Sequence, residues 1–219
     1  MTDYVIDLEC DGLKPTHIHC LSIDDCNGKA WTLVKSKDII DFFDTLDSTD
    51  RVIGHNFIRF DAVVLKNLLN IDIKAGIVDT TALSWYLYPN IGKHGLAFWG
   101  ERLDIKKPVV EDWDNQPIEV YIERCEEDVK INLALWKMMK EYLDKLYEDG
   151  DSNKLIRYLA HKMNCATMQE ASKWKLDIDK GTALLSELTS NYKIAVDALA
   201  TVMPQVPKMA KKSIISFDF

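Results

Sequence analysis

No C-x-x-C pair occurs among the five cysteines, Cys10, Cys20, Cys26, Cys125 and Cys165. An odd count without such a pair argues against a disulfide framework and against a thiolate zinc site, and it fits a reducing cytoplasm. No apolar run reaches the roughly 20 residues of a membrane span. The start, MTDYVIDLE, has neither the basic region nor the apolar core of a secretion signal, so a soluble cytoplasmic protein with no membrane partner is expected. Positive charge is short as well: 27 Lys and Arg stand against 35 Asp and Glu, leaving −8. That deficit excludes a broad basic footprint for nucleic acid. Any such ligand must be held by local contacts, metal ions or a more basic partner. Repeats and low-complexity tracts are also missing.

What is present is globular: 47% hydrophobic and 28% charged residues over 219 positions, enough for one ordinary domain with an appendage. Strands are predicted at 3–9, 17–24 and 29–34, with Asn27-Gly28 as a hairpin turn between the last two. A helix over 38–46 precedes a short buried strand at 51–56. Apolar residues three and four apart predict a helix over 60–70. GIVDTTALSWYLY (76–88) reads as a strand running into a helix that Asp79-Thr80 can cap. HGLAFWGERL (94–103) is a short helix. A long one spans 117–149, opened by Pro117 and stopped by Gly150. Strands followed by alternating strands and helices imply an α/β domain, residues 1–150, with a mixed sheet antiparallel on one side. Residues 151–219 form a helical appendage: two amphipathic helices, 153–174 and 179–202, then a tail with KMAKK and SIISFDF. Their apolar faces, Leu155, Leu159, Met163 and Leu184, Leu188, are expected to dock on the domain.

In YVIDLECDG (4–12), Tyr4, Val5, Ile6 and Leu8 favour a strand, yet Asp7 and Glu9 interrupt it. Residues two apart share one face, so their carboxylates lie close and repel unless a cation intervenes. A solvent-facing strand edge is the plain alternative. Asp61 follows HNFIRF at a helix start, where a cap is its ordinary role. Asp128 lies in a helix whose Cys125, Val129, Leu133 and Trp136 imply one buried side, and a surface charge is its ordinary role. Glu126 and Glu127 beside it are solvated.

Taken in order, D-x-E on the first strand, an Asp after H-N-x-x-x-F and a helical Asp before V-x-x-N resemble the DEDD exonucleases. The chain is most similar to the proofreading 3′→5′ exonuclease domain of family A DNA polymerases of the bacteriophage type. VIGHNFIRFD, VDTTALSWYLYPN, HGLAFWGERL and RCEEDV carry the likeness, and MQEASKWKLDIDKGTALLSEL (168–188) resembles the helical link into a polymerase. The resemblance implies an RNase H-like five-stranded sheet flanked by helices and two divalent cations, Mg²⁺ or Mn²⁺. It also implies a single-stranded DNA 3′ end as substrate and a DNA polymerase domain or subunit as partner. Asp7, Glu9 and Asp128 would bind one ion; Asp7 would bridge to a second that Asp61 helps hold. Hard oxygen donors fit such ions. Leu13 matches an apolar wedge between terminal bases, with ordinary strand-end packing as the alternative. Asn56, Phe57 and Phe60 are further candidate substrate contacts, and Trp113 is a possible stacking platform. His55 and Asn56 also suit a hydrogen-bonded turn, and His94 suits a helix cap or packing role. The family places Tyr four residues before the last Asp, or His five before; here Arg124 and Glu123 stand there. Tyr121 lies too far along the helix to replace that Tyr. Arg124 cannot act as a base; it is taken as a catalytic contact to phosphate, against the alternative of pairing with Glu126 or Glu127. An inactive scaffold that keeps the fold is the competing reading, and an exoribonuclease a third.

Overall fold

The computed structural model describes residues 2–106, 116–147, 152–173 and 175–203. Trp113 and the 204–219 tail lie outside the described residues. Five strands form one sheet in the order β3-β2-β1-β4-β5. These are β1 (Asp3–Cys10), β2 (Ile18–Asp24), β3 (Ala30–Leu33), β4 (Arg51–Gly54) and β5 (Gly76–Asp79). β1 pairs antiparallel with β2 and parallel with β4, so the mixed sheet changes character at its central strand. Between β2 and β3 the chain makes a longer loop than a two-residue turn. Asp25 N–H donates to Lys29 O at 3.0 Å, and Cys26 and Gly28 both take positive φ. β4 stops at Gly54, short of the predicted 56, because Asn56 adopts a left-handed backbone at φ 59°.

Alternation along the strands divides the core into two layers. Ile6, Leu8, Ile23 and Val52 face α1 (Ser36–Thr45) and α2 (Asp61–Leu69), with Ile39, Phe43 and Leu65 buried among them. Val5, Ile53 and Val78 point to the other side, against α3 (Thr80–Leu87), α4 (Leu96–Arg102) and α5 (Ile118–Leu146). On α5 the fully buried row Ile131, Leu135 and Met139 recurs every four residues, which seats this helix across β1 and β2. The face of β1 that carries Asp7 and Glu9 is therefore the covered one.

Two compact units divide after Ser172, so α6 (Ser152–Ser172) belongs to the first. Its Leu155, Ile156, Leu159 and Met163 join the α5-side layer, and α6 lies against β5. Composition changes at Gly150, but an apolar stripe does not reveal which body it completes. In the second unit, α7 (Ile178–Val202) is capped by Asp177, whose carboxylate accepts from Lys180 N at 3.0 Å. Leu184 and Leu188, expected to be buried, are 53% and 56% exposed. No described helix is long and apolar enough to cross a membrane.

This difference fixes an expected outcome. Leu159→Ala should cost about 2–4 kcal/mol in urea unfolding, as removal of a buried leucine does. Leu188→Ala should stay within about 0.5 kcal/mol, and equal losses would contradict the division of roles.

Candidate metal centre

Asp7 and Glu9 project with Val5 toward α5, while Ile6 and Leu8 turn away into the opposite layer. The strand register holds them firmly: Asp7 sits opposite Ser22 and Glu9 opposite Cys20, after which the ladder shifts between Glu9 and Cys10. α5 is tied to the same strand, since Cys125 Sγ donates to Asp7 O at 3.1 Å across 118 residues of chain. One turn further along α5, Asp128 is only 4% exposed. Ligand oxygens of Asp7, Glu9 and Asp128 all lie within 4.8 Å of one another. At that separation each like-charged pair repels by on the order of 3 kcal/mol, so positive charge is required. Three carboxylates with no His or Cys in the cluster form a hard-oxygen donor set suited to Mg²⁺ or Mn²⁺.

Some of that positive charge is supplied by Arg124. Its Nε lies 3.5 Å from Glu9 Oε1 and 3.3 Å from Asp128 Oδ2, with the side chain only 13% exposed. The alternative pairing with Glu126 or Glu127 is not the arrangement found. Glu126 accepts from Thr32 Oγ1 at 2.9 Å, and Glu127 pairs with Lys130 at 2.6 Å. Tyr121 lies flat against His19, with ring centroids 3.9 Å apart, and is buried in a small cluster with Cys20 and Cys125.

Asp61 stands outside the three-carboxylate cluster, in the first turn of α2, buried at 6% exposure. Burial pushes its carboxyl well above the usual 3.8, against the pull of backbone hydrogen bonds, and the nearby charges of Asp79 and Glu9 add to the rise. The loop before it is anchored by Asp79. That carboxylate accepts from Ile58 N at 3.2 Å and caps α3 through Thr81 N at 3.0 Å and Ala82 N at 3.3 Å. Beside it, Thr80 Oγ1 lies 2.7 Å from Asn132 Oδ1, 3.2 Å from Gly54 O and 3.0 Å from His55 Nδ1. Asn132 follows Asp128 by one turn on the same face, so this network locks α5, α3 and the end of β4 together. Sequence reading missed Asn132 as an anchor, although the V-x-x-N spacing was its signal.

The candidate substrate contacts separate. Leu13, 90% exposed, and the half-buried Phe60 line a cavity of about 380 Å³ with Lys14, Arg59 and Leu68. Phe57 corrects the expectation. It is 1% exposed, and its ring fills the space beside Gly54, where an added Cβ would meet Phe57 Cβ at 2.6 Å. It is a core residue and cannot stack on a base. Asn56 serves the turn, and His94 packs on α3 through Ser84 Oγ at 2.6 Å.

No family model matches the chain, and no curated protein matches it. Solved structures do. NrnC of Brucella melitensis is 18% identical, with 79% of this chain and 88% of that one covered, at a TM-score of 0.60. The same protein with bound Mg²⁺ aligns at 0.60 over 80% and 89%. E. coli RNase D, an exoribonuclease, is 12% identical at 0.52 and covers 74% of this chain and 45% of its own. The fold they share with this chain is an α/β one, a mixed five-stranded sheet flanked by helices. At these identities the likeness speaks for the fold.

The buried acids set a pH dependence. A carboxyl whose folded pKa is raised binds more protons in the folded state than in the unfolded one. Stability then falls as pH climbs from about 4 through the folded value. Asp61 and Asp79 are both raised, each mainly by burial. In chelator, the urea midpoint should be higher at about pH 5 than at about pH 8. Asp61→Asn should flatten that slope; an unchanged slope would count against it.

Proposed function

We propose that this protein is a metal-dependent 3′→5′ exonuclease of the proofreading type, acting on single-stranded DNA 3′ ends and releasing nucleoside 5′-monophosphates. The observation that carries the reading is the convergence of Asp7, Glu9 and Asp128 from a strand and a helix far apart in sequence. A scaffold has no evident use for three carboxylates held against their own repulsion, which sets the inactive-module reading behind the enzyme. Asp7, Glu9 and Asp128 would hold one divalent ion, and Asp7 with Asp61 a second. Bound there, such ions supply Lewis-acid stabilisation of phosphate oxygens and a water of lowered pKa.

The chain's own residues do the rest. Leu13 and Phe60 offer apolar surface to a terminal base, and Lys14 and Arg59 line the same cavity with positive charge for the backbone. Arg59 also pairs with Glu170. Arg124 has donors only and stays protonated, so it takes no proton from water; its role is a charge-assisted contact to a phosphate oxygen. The likeness of 168–188 to a polymerase link supports a DNA polymerase domain or subunit as partner. RNA ends are the second reading, favoured by the likeness to RNase D, an exoribonuclease.

Digestion of 3′- and 5′-labelled single strands, DNA and RNA in parallel, with Mg²⁺, Mn²⁺ or chelator tests this directly. Stepwise loss from the 3′ end is expected only with metal. Asp7→Ala should abolish cleavage while leaving the metal-free fold at least as stable, since it relieves repulsion. Wild-type cleavage by purified Asp7→Ala would sink the assignment. Arg124→Ala should lower the single-turnover rate by roughly ten- to a hundredfold, the loss of one contact to the transition state.

A further inference from the structure

The guanidinium of Arg124 faces the same oxygens a metal would need. It forms ion pairs with Glu9 and Asp128, which are two of the three clustered carboxylates. A second arginine in the same molecule provides the comparison. Arg51 grips Asp3 with Nε to Oδ1 at 2.7 Å and NH2 to Oδ2 at 2.8 Å, both side chains 13% exposed. The pairs of Arg124 are no more exposed, 13% and 13% with Glu9 and 13% and 6% with Asp128, and at 3.5 and 3.3 Å they are longer. Burial is matched, so the difference is one of geometry: short parallel bonds make a strong, specific pair, and longer ones are more readily exchanged.

Two further facts bear on that exchange. The guanidinium cannot discharge by losing a proton at ordinary pH, so it leaves the carboxylates only by moving. Arg124 and Asp128 stand four apart on α5, which fixes the root of the side chain and leaves its long stem to swing.

We propose that Arg124 is a resident counter-cation of the carboxylate cluster, which weakens the affinity for the first divalent ion and yields its oxygens when that ion binds. This inference rests on the metal-nuclease reading. It makes Arg124 a positioning residue before metal arrives: it holds Glu9 and Asp128 together against their repulsion and keeps the cluster assembled. Released by the ion, the same guanidinium becomes available for phosphate. Metal loading and the freeing of that donor are thereby one event.

The test is calorimetric titration of Mn²⁺ into the chelator-stripped full chain, with Mn²⁺ paramagnetic resonance as a second reading of the bound ion. Arg124→Gln should bind the first Mn²⁺ about tenfold more tightly than wild type, as expected when a competing charge is removed. Arg124→Lys should stay within about threefold of wild type, because the charge remains. Without metal, Arg124→Gln should melt roughly 5 °C lower, and Mn²⁺ should raise its melting point by more than it raises that of wild type. Arg124→Met, which keeps the apolar stem, serves as a second uncharged variant. Folding of either variant only in the presence of Mn²⁺ would also support the proposal, whereas failure to fold even then would overturn it. Equal or weaker Mn²⁺ binding by the uncharged variants would overturn this inference alone. Absence of Mn²⁺ binding by wild type and variants alike would overturn the metal-nuclease reading with it.

Discussion

Mutual repulsion among carboxylates, set close together where water is scarce, is the constraint that the rest of the molecule answers. Asp7 and Glu9 alternate with Val5 on a strand face that α5 covers, and Asp128 meets them from that helix. Left alone, such charges would push the strand and helix apart or take up protons. They stay because the elements that bear them are fixed by forces indifferent to the acids. β1 is hydrogen-bonded on both edges, to β2 and β4. α5 is seated by Ile131, Leu135 and Met139, all fully buried. Burial of side chains of this size contributes about 1.5–3 kcal/mol each, so the three together exceed the repulsion of any one pair. Arg124 then neutralises part of what remains.

The fourth acid is placed by a different means. Asp61 cannot be aimed by strand alternation, since it follows a loop. The carboxylate of Asp79 gathers the N–H groups of Ile58, Thr81 and Ala82, so one side chain pins the loop to the start of α3. Thr80 and Asn132 extend that anchor to α5. The relation between Asp61 and Asp128 is thus transmitted through buried hydrogen bonds, which tolerate little displacement.

Much of this was legible in the sequence where a local rule governed. Strand alternation put Asp7 and Glu9 on one face, the Asp-Thr pair marked the start of α3, and apolar spacing gave Asp128 a buried side. Failures came where partners distant in sequence decide. Phe57 reads as a base platform or, as aromatics near helix starts more often are, as core, and Gly54 settles the matter by leaving room for its ring. The choice of Arg124 between Glu126 and Glu9 depends on where β1 lies, which no helical spacing encodes. The strand at 51–56 was cut short by the left-handed Asn56, a conformation that asparagine tolerates but does not announce. Amphipathicity identified α6 and α7 alike, yet it could not tell that α6 completes the first unit while α7 leaves Leu184 and Leu188 exposed.

The span between β1 and α5 also has a consequence in time. Cys125 reaches back 118 residues to the backbone of Asp7, and Asp128 lies just beyond it. A ribosome adding about 5–20 residues per second needs on the order of ten seconds to make that stretch. Throughout that interval the emerging chain carries the D-x-E but lacks its helical third member. A nascent or prematurely terminated chain therefore carries only part of the carboxylate cluster, which is complete only once α5 has been made.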